Sequence, residues 1–84
     1  MNLVFTENGW EDYVFWQIND RQKVERINEL LKDISRNPFK GIGKPEPLRG
    51  NLGGWWSRRI DNEHRLVYRV MQEQVIILQC RYHY

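Results

Sequence analysis

Three residues in the second half of the chain have the side chains that acid–base chemistry on a phosphate ester requires. Glu46 lies between Pro45 and Pro47, which fix the backbone around a carboxylate suited to a general base. His83, the penultimate residue, carries the side chain that most readily donates a proton near neutral pH. Arg65 carries a planar guanidinium that matches the oxygens of a phosphate. Residue type alone is equally consistent with a solvated loop glutamate, an exposed terminal histidine and an arginine on a solvent-facing strand.

Further cations and aromatic side chains accompany these three. Four cations are predicted to bind RNA, namely Lys44, Arg49, Arg59 and Arg81. Arg59 and Arg81 fall on predicted strands where they could share an open sheet face with Arg65. Tyr84 is the better candidate to stack on a base if Tyr82 points into the core. Core or interface packing is the ordinary alternative for these aromatic residues.

The charge of the chain is divided unevenly along its length. The 84 residues carry a formal charge of +2. Residues 1–34 hold four basic and seven acidic side chains, a charge of −3, whereas residues 35–84 hold nine basic and four acidic side chains, a charge of +5. Seven of the nine cations in the second half are arginine. This half is therefore predicted to face nucleic acid, with solvated strand faces as the alternative.

Several other kinds of site are missing from the sequence. The single cysteine, Cys80, excludes an internal disulfide, and the two histidines, His64 and His83, stand nineteen residues apart without metal-ligand spacing. No glycine pattern of the Walker or dinucleotide type occurs, and no cofactor is expected. The chain lacks an apolar run that could span a membrane, and its N-terminus is unlike a signal peptide. We expect a single domain, residues 1–84, in the reducing cytoplasm.

Two consecutive amphipathic helices are predicted in the first half. In the first helix, apolar residues at helical spacing form one face: Trp10, Tyr13, Val14 and Ile18. Trp16 lies off that face and is a candidate contact residue rather than an assured core residue. In the second helix, the repeating apolar residues are Val24, Ile27, Leu30, Leu31 and Ile34. Asp20 is expected to cap the second helix, which ends before Pro38.

Strands are predicted at the N-terminus and in the last third of the chain. Residues 3–5 form a short first strand, and residues 55–60, 64–70 and 75–82 form three more. The last of these is apolar on both faces at its centre, which is typical of a strand inside a sheet. The Pro- and Gly-rich connection at residues 38–54 is long enough to be functional. The order β-α-α-β-β-β indicates one α+β domain, an antiparallel sheet, mostly a meander, with two helices on one face.

Four segments of the chain resemble the YoeB toxins of the RelE/ParE superfamily. The segments are Pro38–Leu48, Trp56–Ile60, Glu63–Tyr68 and Cys80–Tyr84. They occur in the order that the family shows, and the resemblance extends over essentially the whole chain, including its length. It implies the RelE-like, microbial-ribonuclease-like fold, an antiparallel sheet with two helices. It also implies a bacterial toxin of a type II toxin–antitoxin pair.

The same resemblance implies an activity and the residues that perform it. YoeB-like toxins are ribosome-dependent endoribonucleases that cleave mRNA in the ribosomal A site without a metal. On the matching positions, Glu46 is the general base, Arg65 stabilises the charged transition state and His83 is the general acid. Tyr84 positions the substrate or its base, and Arg59 contacts a phosphate. The implied products are a 2′,3′-cyclic phosphate or 3′-phosphate and a 5′-hydroxyl.

Partners other than mRNA and the ribosome also follow from the resemblance. It implies an antitoxin, similar to YefM, whose C-terminal segment covers the site, and it allows a homodimer for which Trp16 and the acidic helices offer a surface. Two alternatives stay open. ParE-like members of the superfamily poison DNA gyrase and are not nucleases. A non-catalytic RNA- or ribosome-binding module would need the arginine face but neither Glu46 nor His83.

Overall fold

Two helices pack on one face of a five-stranded sheet. The computed structural model describes residues 1–84. Its elements are β1 (Asn2–Phe5), α1 (Glu7–Asn19), α2 (Arg21–Arg36), β2 (Glu46–Pro47), β3 (Trp56–Arg59), β4 (Arg65–Met71) and β5 (Gln74–Gln79), with a 3₁₀ turn at Gly50–Leu52. The strands lie in the order β1-β5-β4-β3-β2. The predicted α+β fold is confirmed.

The sheet is mixed rather than wholly antiparallel. Strands β3, β4 and β5 form the predicted antiparallel meander, and β2 extends it. Strand β1 pairs parallel to β5 instead, with Leu3 opposite Val75 and Phe5 opposite Ile77. Because β5 is apolar on both faces and lies inside the sheet, its second edge needs a partner, which the N-terminal strand supplies.

The core lies between the sheet and the helices. Helix α2 buries residues that its apolar period predicts, namely Ile27, Leu30, Leu31 and Ile34. The sheet contributes buried residues of β4 and β5, namely Leu66, Tyr68, Val75 and Ile77. Asp20 caps α2, since its carboxylate accepts a hydrogen bond from the Gln22 N–H at 3.1 Å. Neither helix combines the length and the apolar character needed to cross a lipid bilayer.

Helix α1 presents a different face to the sheet from the one predicted. Its buried residues are Gly9 and Trp16, whereas Trp10 is 52% exposed and Ile18 is 77% exposed. Gly9 lies so close to β5 that a Cβ there would stand 2.5 Å from the Ile77 carbonyl oxygen. The face of α1 that contacts the sheet therefore includes a glycine, so the spacing of apolar residues does not identify this face. The expectation that Trp10 and Ile18 pack against the sheet is wrong. Trp16, a candidate contact residue, belongs to the core and offers no surface to a second copy.

The last predicted strand and the long connection also differ from the structure. Strand β5 ends at Gln79, and residues 80–84 form an irregular tail. This tail passes the start of β4, where the Arg65 N–H donates to the Tyr82 carbonyl oxygen at 3.0 Å. The connection contains the short strand β2, in which Glu46 pairs with Ser57 of β3. The tail and the connection are thereby brought to the same part of the sheet.

Candidate active site

Six of the eight predicted site residues line one cleft on the sheet face opposite the helices. The cleft has a volume of about 170 Å³. Its lining residues are Lys44, Glu46, Ser57, Arg59, Arg65, His83 and Tyr84. One carboxylate, one imidazole and three cations therefore meet in a cleft built from β2, β3, β4, the preceding loop and the C-terminal tail.

Strand pairing places the cleft residues on one face of the sheet. Cross-strand partners point to the same side of a sheet, and successive residues point to opposite sides. Glu46 is paired with Ser57, and Arg59 is paired with Arg65. The alternate residues of β3 and β4 point into the core. The period-two alternation of the strands is therefore sufficient to explain why these polar side chains share the open face.

Arg65 is the most enclosed cation of the cleft. Only 7% of its surface is exposed. Its Nη1 donates to the carbonyl oxygens of Asp61 at 2.8 Å and His64 at 3.2 Å, which fixes the plane of the guanidinium. Its Nε and Nη2 have no acceptor within the protein and are not sealed from solvent. Those N–H groups are available to an anion in the cleft.

Lys44 and Glu46 have exposed side chains and belong to a loop that is paired with β3 on both sides of Lys44. Lys44 has a φ of 52°, in the left-handed region that non-glycine residues rarely adopt. The Arg59 N–H donates to the Gly43 carbonyl oxygen at 2.7 Å, on one side of Lys44. On the other side, Glu46 pairs with Ser57. Strand β3 therefore fixes the segment that carries the predicted general base.

The buried Arg58 holds the earlier part of the same loop. Its guanidinium binds the Asp33 carboxylate at 2.5 Å. It also donates to the carbonyl oxygens of Asn37 at 2.7 Å, Lys40 at 2.9 Å and Ile42 at 3.1 Å. The hydrogen bond from Arg58, together with one from the Ile42 N–H, holds the pKa of Asp33 below its ordinary value.

The sequence contains one signal for this ion pair. Arg58 occupies the inward-facing position of β3, between Trp56 and Ile60, and an arginine at such a position needs a buried acceptor. No spacing rule identifies Asp33, which lies 25 residues earlier on α2, as that acceptor. The predicted site residues therefore do not include this pair.

His83 and Tyr84 reach the cleft on the irregular tail. Both side chains are exposed, and the centroids of their rings lie 4.6 Å apart. The Tyr84 hydroxyl is 3.4 Å from Oγ of Ser57, a cleft residue that no sequence pattern singles out. Nε2 of Gln79 donates to the His83 carbonyl oxygen at 3.3 Å. The imidazole is therefore held through its backbone and is free to reach a substrate.

Arg49 and Arg81, which were also predicted to bind RNA, lie outside this cleft. Arg49 is exposed beside the 3₁₀ turn. The Arg81 guanidinium stacks 3.4 Å from the ring centroid of Phe15 and 4.5 Å from that of Tyr82. It lines a second cleft of about 490 Å³, which His83 also borders. Arg81 therefore lines the neighbouring cleft rather than the one that holds Glu46 and Arg65.

The fold and the cleft together define a small α+β protein with a carboxylate, an imidazole and cations on an open sheet face. Comparison with known proteins assigns its family. Residues 5–84 match the family model described as YoeB-like toxin of bacterial type II toxin–antitoxin system. The chain belongs to this family of toxins, which confirms the resemblance carried by its sequence.

Individual relatives match over the full length of the chain. Toxin YoeB of Streptomyces coelicolor is 60% identical over 84 residues, which cover 100% of both proteins. A YoeB/ParE toxin structure from Agrobacterium tumefaciens has a TM-score of 0.98 at 52% identity and covers 100% of both chains. YoeB from Staphylococcus aureus in a heterotetrameric complex with YefM has a TM-score of 0.93 at 52% identity, over 100% of this chain and 98% of that one. The structure of the YoeB dimer from the same organism has a TM-score of 0.94 with the same identity and coverage.

Proposed function

We propose that this toxin is a ribosome-dependent endoribonuclease that cleaves mRNA in the ribosomal A site and so inhibits translation. The observation that carries this proposal is the meeting of Glu46, Arg65 and His83 in one cleft. A base, an acid and a cation are the groups that promote attack of a 2′-hydroxyl on the adjacent RNA phosphate. The membership of the chain in the YoeB-like toxins supports the same conclusion.

The proposed reaction begins at the 2′-hydroxyl on the 5′ side of the scissile phosphate. Glu46 removes the hydroxyl proton as the 2′-oxygen forms a bond to phosphorus. The Nε and Nη2 hydrogens of Arg65 stabilise the charge that grows on the non-bridging oxygens. His83 donates a proton to the 5′-oxygen as the bond between phosphorus and that oxygen breaks. The products are a 2′,3′-cyclic phosphate, which water can open to a 3′-phosphate, and a 5′-hydroxyl.

Other side chains in and around the cleft hold the RNA in this proposal. Lys44 and Arg59 are exposed at the cleft and bind phosphate oxygens. Tyr84 is exposed and stacks on a base. Arg49 and Arg81 lie farther out and contact the phosphates of flanking nucleotides. Substrate binding is thereby spread over a surface wider than the cleft.

The dimensions of the cleft support dependence on the ribosome. Its volume of about 170 Å³ is below the roughly 300–1,000 Å³ of typical sites that enclose a small ligand. The cleft is therefore too small to surround and orient a nucleotide by itself. On a ribosome the mRNA is already held in the A site, and the toxin needs to add the acid, the base and the cations.

The S. aureus relatives support two protein partners, an antitoxin and a second copy of the chain. We expect the C-terminal segment of a YefM-like antitoxin, disordered when free, to cover the cleft, because cations favour an acidic segment. This segment would displace the His83–Tyr84 end of the tail, whose side chains are exposed. The site of action is the cytoplasm, where mRNA and ribosomes are found.

Replacing Arg59 by alanine is expected to slow cleavage about 10- to 100-fold, because a hydrogen bond to a charged group contributes roughly 1.5–3 kcal/mol. The side chain of Arg59 is exposed, so the fold should be unaffected. The rate is measured on a defined mRNA bound to stalled ribosomes, with the cleaved position mapped by primer extension. Arg21→Ala is the matched control, since Arg21 is an exposed arginine at the start of α2.

Two outcomes of this experiment would contradict the proposal in different ways. An equal loss of rate in Arg59→Ala and Arg21→Ala would indicate a general effect of charge and contradict the placement of Arg59 on the substrate. The absence of cleavage by the wild-type protein would contradict the nuclease function. In that case, inhibition of DNA supercoiling by gyrase would favour the ParE-like alternative, and ribosome binding without cleavage would favour the binding module.

A further inference from the structure

The tail after β5 carries the proposed general acid, although no strand pairing fixes its course. Strand β5 ends at Gln79, and residues 80–84 have no regular structure. Tyr82, immediately before His83, has a φ of 64°. A tyrosine adopts this left-handed conformation only where its surroundings impose it. The contacts of the Tyr82 backbone therefore determine where His83 lies.

Two consecutive residues bind both polar groups of the Tyr82 backbone. The Tyr82 N–H donates to Nδ1 of His64 at 2.7 Å. The Arg65 N–H donates to the Tyr82 carbonyl oxygen at 3.0 Å. Because the Arg65 side chain lines the cleft, this pair of hydrogen bonds connects the tail directly to the strand that carries the proposed transition-state arginine.

His64 is itself held in place on several sides. It is only 8% exposed. The ring of Trp16 packs against its imidazole, with the centroids 4.8 Å apart and the planes at 78°. The His64 N–H donates to Oδ1 of Asp61 at 2.7 Å. Since the Tyr82 N–H can only donate, Nδ1 must present a lone pair, which places the proton of the neutral imidazole on Nε2.

Trp16 fixes the beginning of the same tail. Its indole N–H donates to the Cys80 carbonyl oxygen at 2.8 Å. The two aromatic side chains that touch each other, Trp16 and His64, therefore bind the tail at Cys80 and at Tyr82. Their burial makes this arrangement a rigid support rather than a surface contact.

We propose that His64 is a positioning residue, which accepts the hydrogen bond that places His83 and takes no part in proton transfer. This inference rests on the proposed function, because it assigns His64 to the same reaction. A displacement of about 1 Å in a reacting group can lower a rate about 100-fold. Loss of the acceptor at Nδ1 is therefore expected to slow proton donation by His83, although the other hydrogen bonds of the tail remain.

The test compares two substitutions of the same residue in the full-length toxin. His64→Leu fills the space with an apolar side chain and leaves the Tyr82 N–H without an acceptor. His64→Asn places a side-chain oxygen near the position of Nδ1. Single-turnover cleavage of mRNA on stalled ribosomes gives the rate, and ribosome pelleting gives the affinity. Hydrogen exchange followed by NMR gives the protection of the Tyr82 amide, and circular dichroism establishes that each variant is folded.

We expect His64→Leu to lower the single-turnover rate about 100-fold, to leave ribosome affinity unchanged and to abolish protection of the Tyr82 amide. His64→Asn should restore both the rate and the protection. A wild-type rate in folded His64→Leu, or a rate in His64→Asn as low as in His64→Leu, would overturn the positioning role.

The proposal can still be tested if His64→Leu does not fold. If His64→Leu does not fold, a wild-type rate in His64→Asn with an unprotected Tyr82 amide would overturn the proposal, and a wild-type rate with a protected amide would support it. Failure of the proposed function has a different signature, since it would be seen as an absence of cleavage by the wild-type protein itself.

Discussion

Replacing His83 by alanine is expected to lower the rate of mRNA cleavage by about 10²- to 10⁴-fold, the usual contribution of a positioned general acid. The loss should be confined to activity. The side chain is exposed, and its contacts are with the adjacent Tyr84, at 4.6 Å between ring centroids and 3.4 Å from Nδ1 to the carbonyl oxygen. Its removal leaves no buried cavity and no unpaired buried group, so the Tm should stay at the wild-type value.

A second variant separates proton transfer from binding. His83→Gln keeps a polar side chain of similar reach but supplies no acid that titrates near neutral pH. Single-turnover cleavage on stalled ribosomes should be as slow in this variant as in His83→Ala, with unchanged thermal melting in both. A wild-type rate in His83→Gln would show that the imidazole binds rather than protonates, and would contradict its assignment as the general acid.

Replacing Arg58 by methionine is expected to destabilise the fold by about 1–3 kcal/mol, the usual effect of leaving hydrogen-bonding groups inside the protein without a partner. Arg58 is completely buried. Methionine fills much of its volume but leaves the Asp33 carboxylate with only the exposed Arg36 beside it and the three loop carbonyl oxygens without their donor. Small domains are stabilised by only about 0.05–0.15 kcal/mol per residue, so such a loss is a large share of the total. Cleavage should fall as well, because the loop before Glu46 loses its anchor.

A second arginine provides the control for this substitution. Arg36 pairs with the same Asp33 carboxylate at 3.3 Å, but its side chain is 79% exposed. Surface pairs of this kind contribute about 0–1 kcal/mol. The free energy of unfolding of Arg36→Ala should therefore be close to that of the wild type. Urea denaturation of both variants measures the difference. Equal and small losses in the two would contradict the role of Arg58 as the buried anchor of the loop.

The regular spacing of apolar residues in the sequence predicts the regular elements of the fold. The buried residues of α2 follow from the helical period, and the antiparallel strands follow from alternation and turn residues. The shared open face of Arg59 and Arg65 follows from the strand period alone, since both lie on paired antiparallel strands. The family follows from four long segments in order, which a single short motif would not have established.

The features that the sequence does not predict arise where two elements pack very closely or where the backbone is irregular. Gly9 lets α1 approach β5, and this selects a helix face that apolar spacing does not show. The tail leaves the sheet at Gln79, and its hydrogen bonds go to the side chains of Trp16 and His64 and to the first residue of β4, Arg65, rather than to a regular strand ladder. The partner of Arg58 lies on another element, which no local pattern specifies.

The uneven distribution of charge along the chain corresponds to the position of the cleft. The formal charge of +2 is the sum of an acidic helical half and a basic half that contains the loop, β2 to β5 and the tail. All the residues that line the cleft come from the basic half. The helices instead support the cleft from the other face of the sheet, which is why Asp33 and Trp16 affect it only through Arg58, His64 and the tail.

The central proposal, attack by a 2′-hydroxyl under acid–base catalysis, is tested most directly with an mRNA that carries one 2′-deoxynucleotide on the 5′ side of the cleaved bond. This mRNA and its all-ribose counterpart are bound to stalled ribosomes, treated with the wild-type toxin and analysed by primer extension. We predict that the all-ribose mRNA is cleaved and that the substituted mRNA stays intact at that bond, because the nucleophile is missing. Cleavage of the substituted mRNA at the same bond and the same rate would contradict the mechanism.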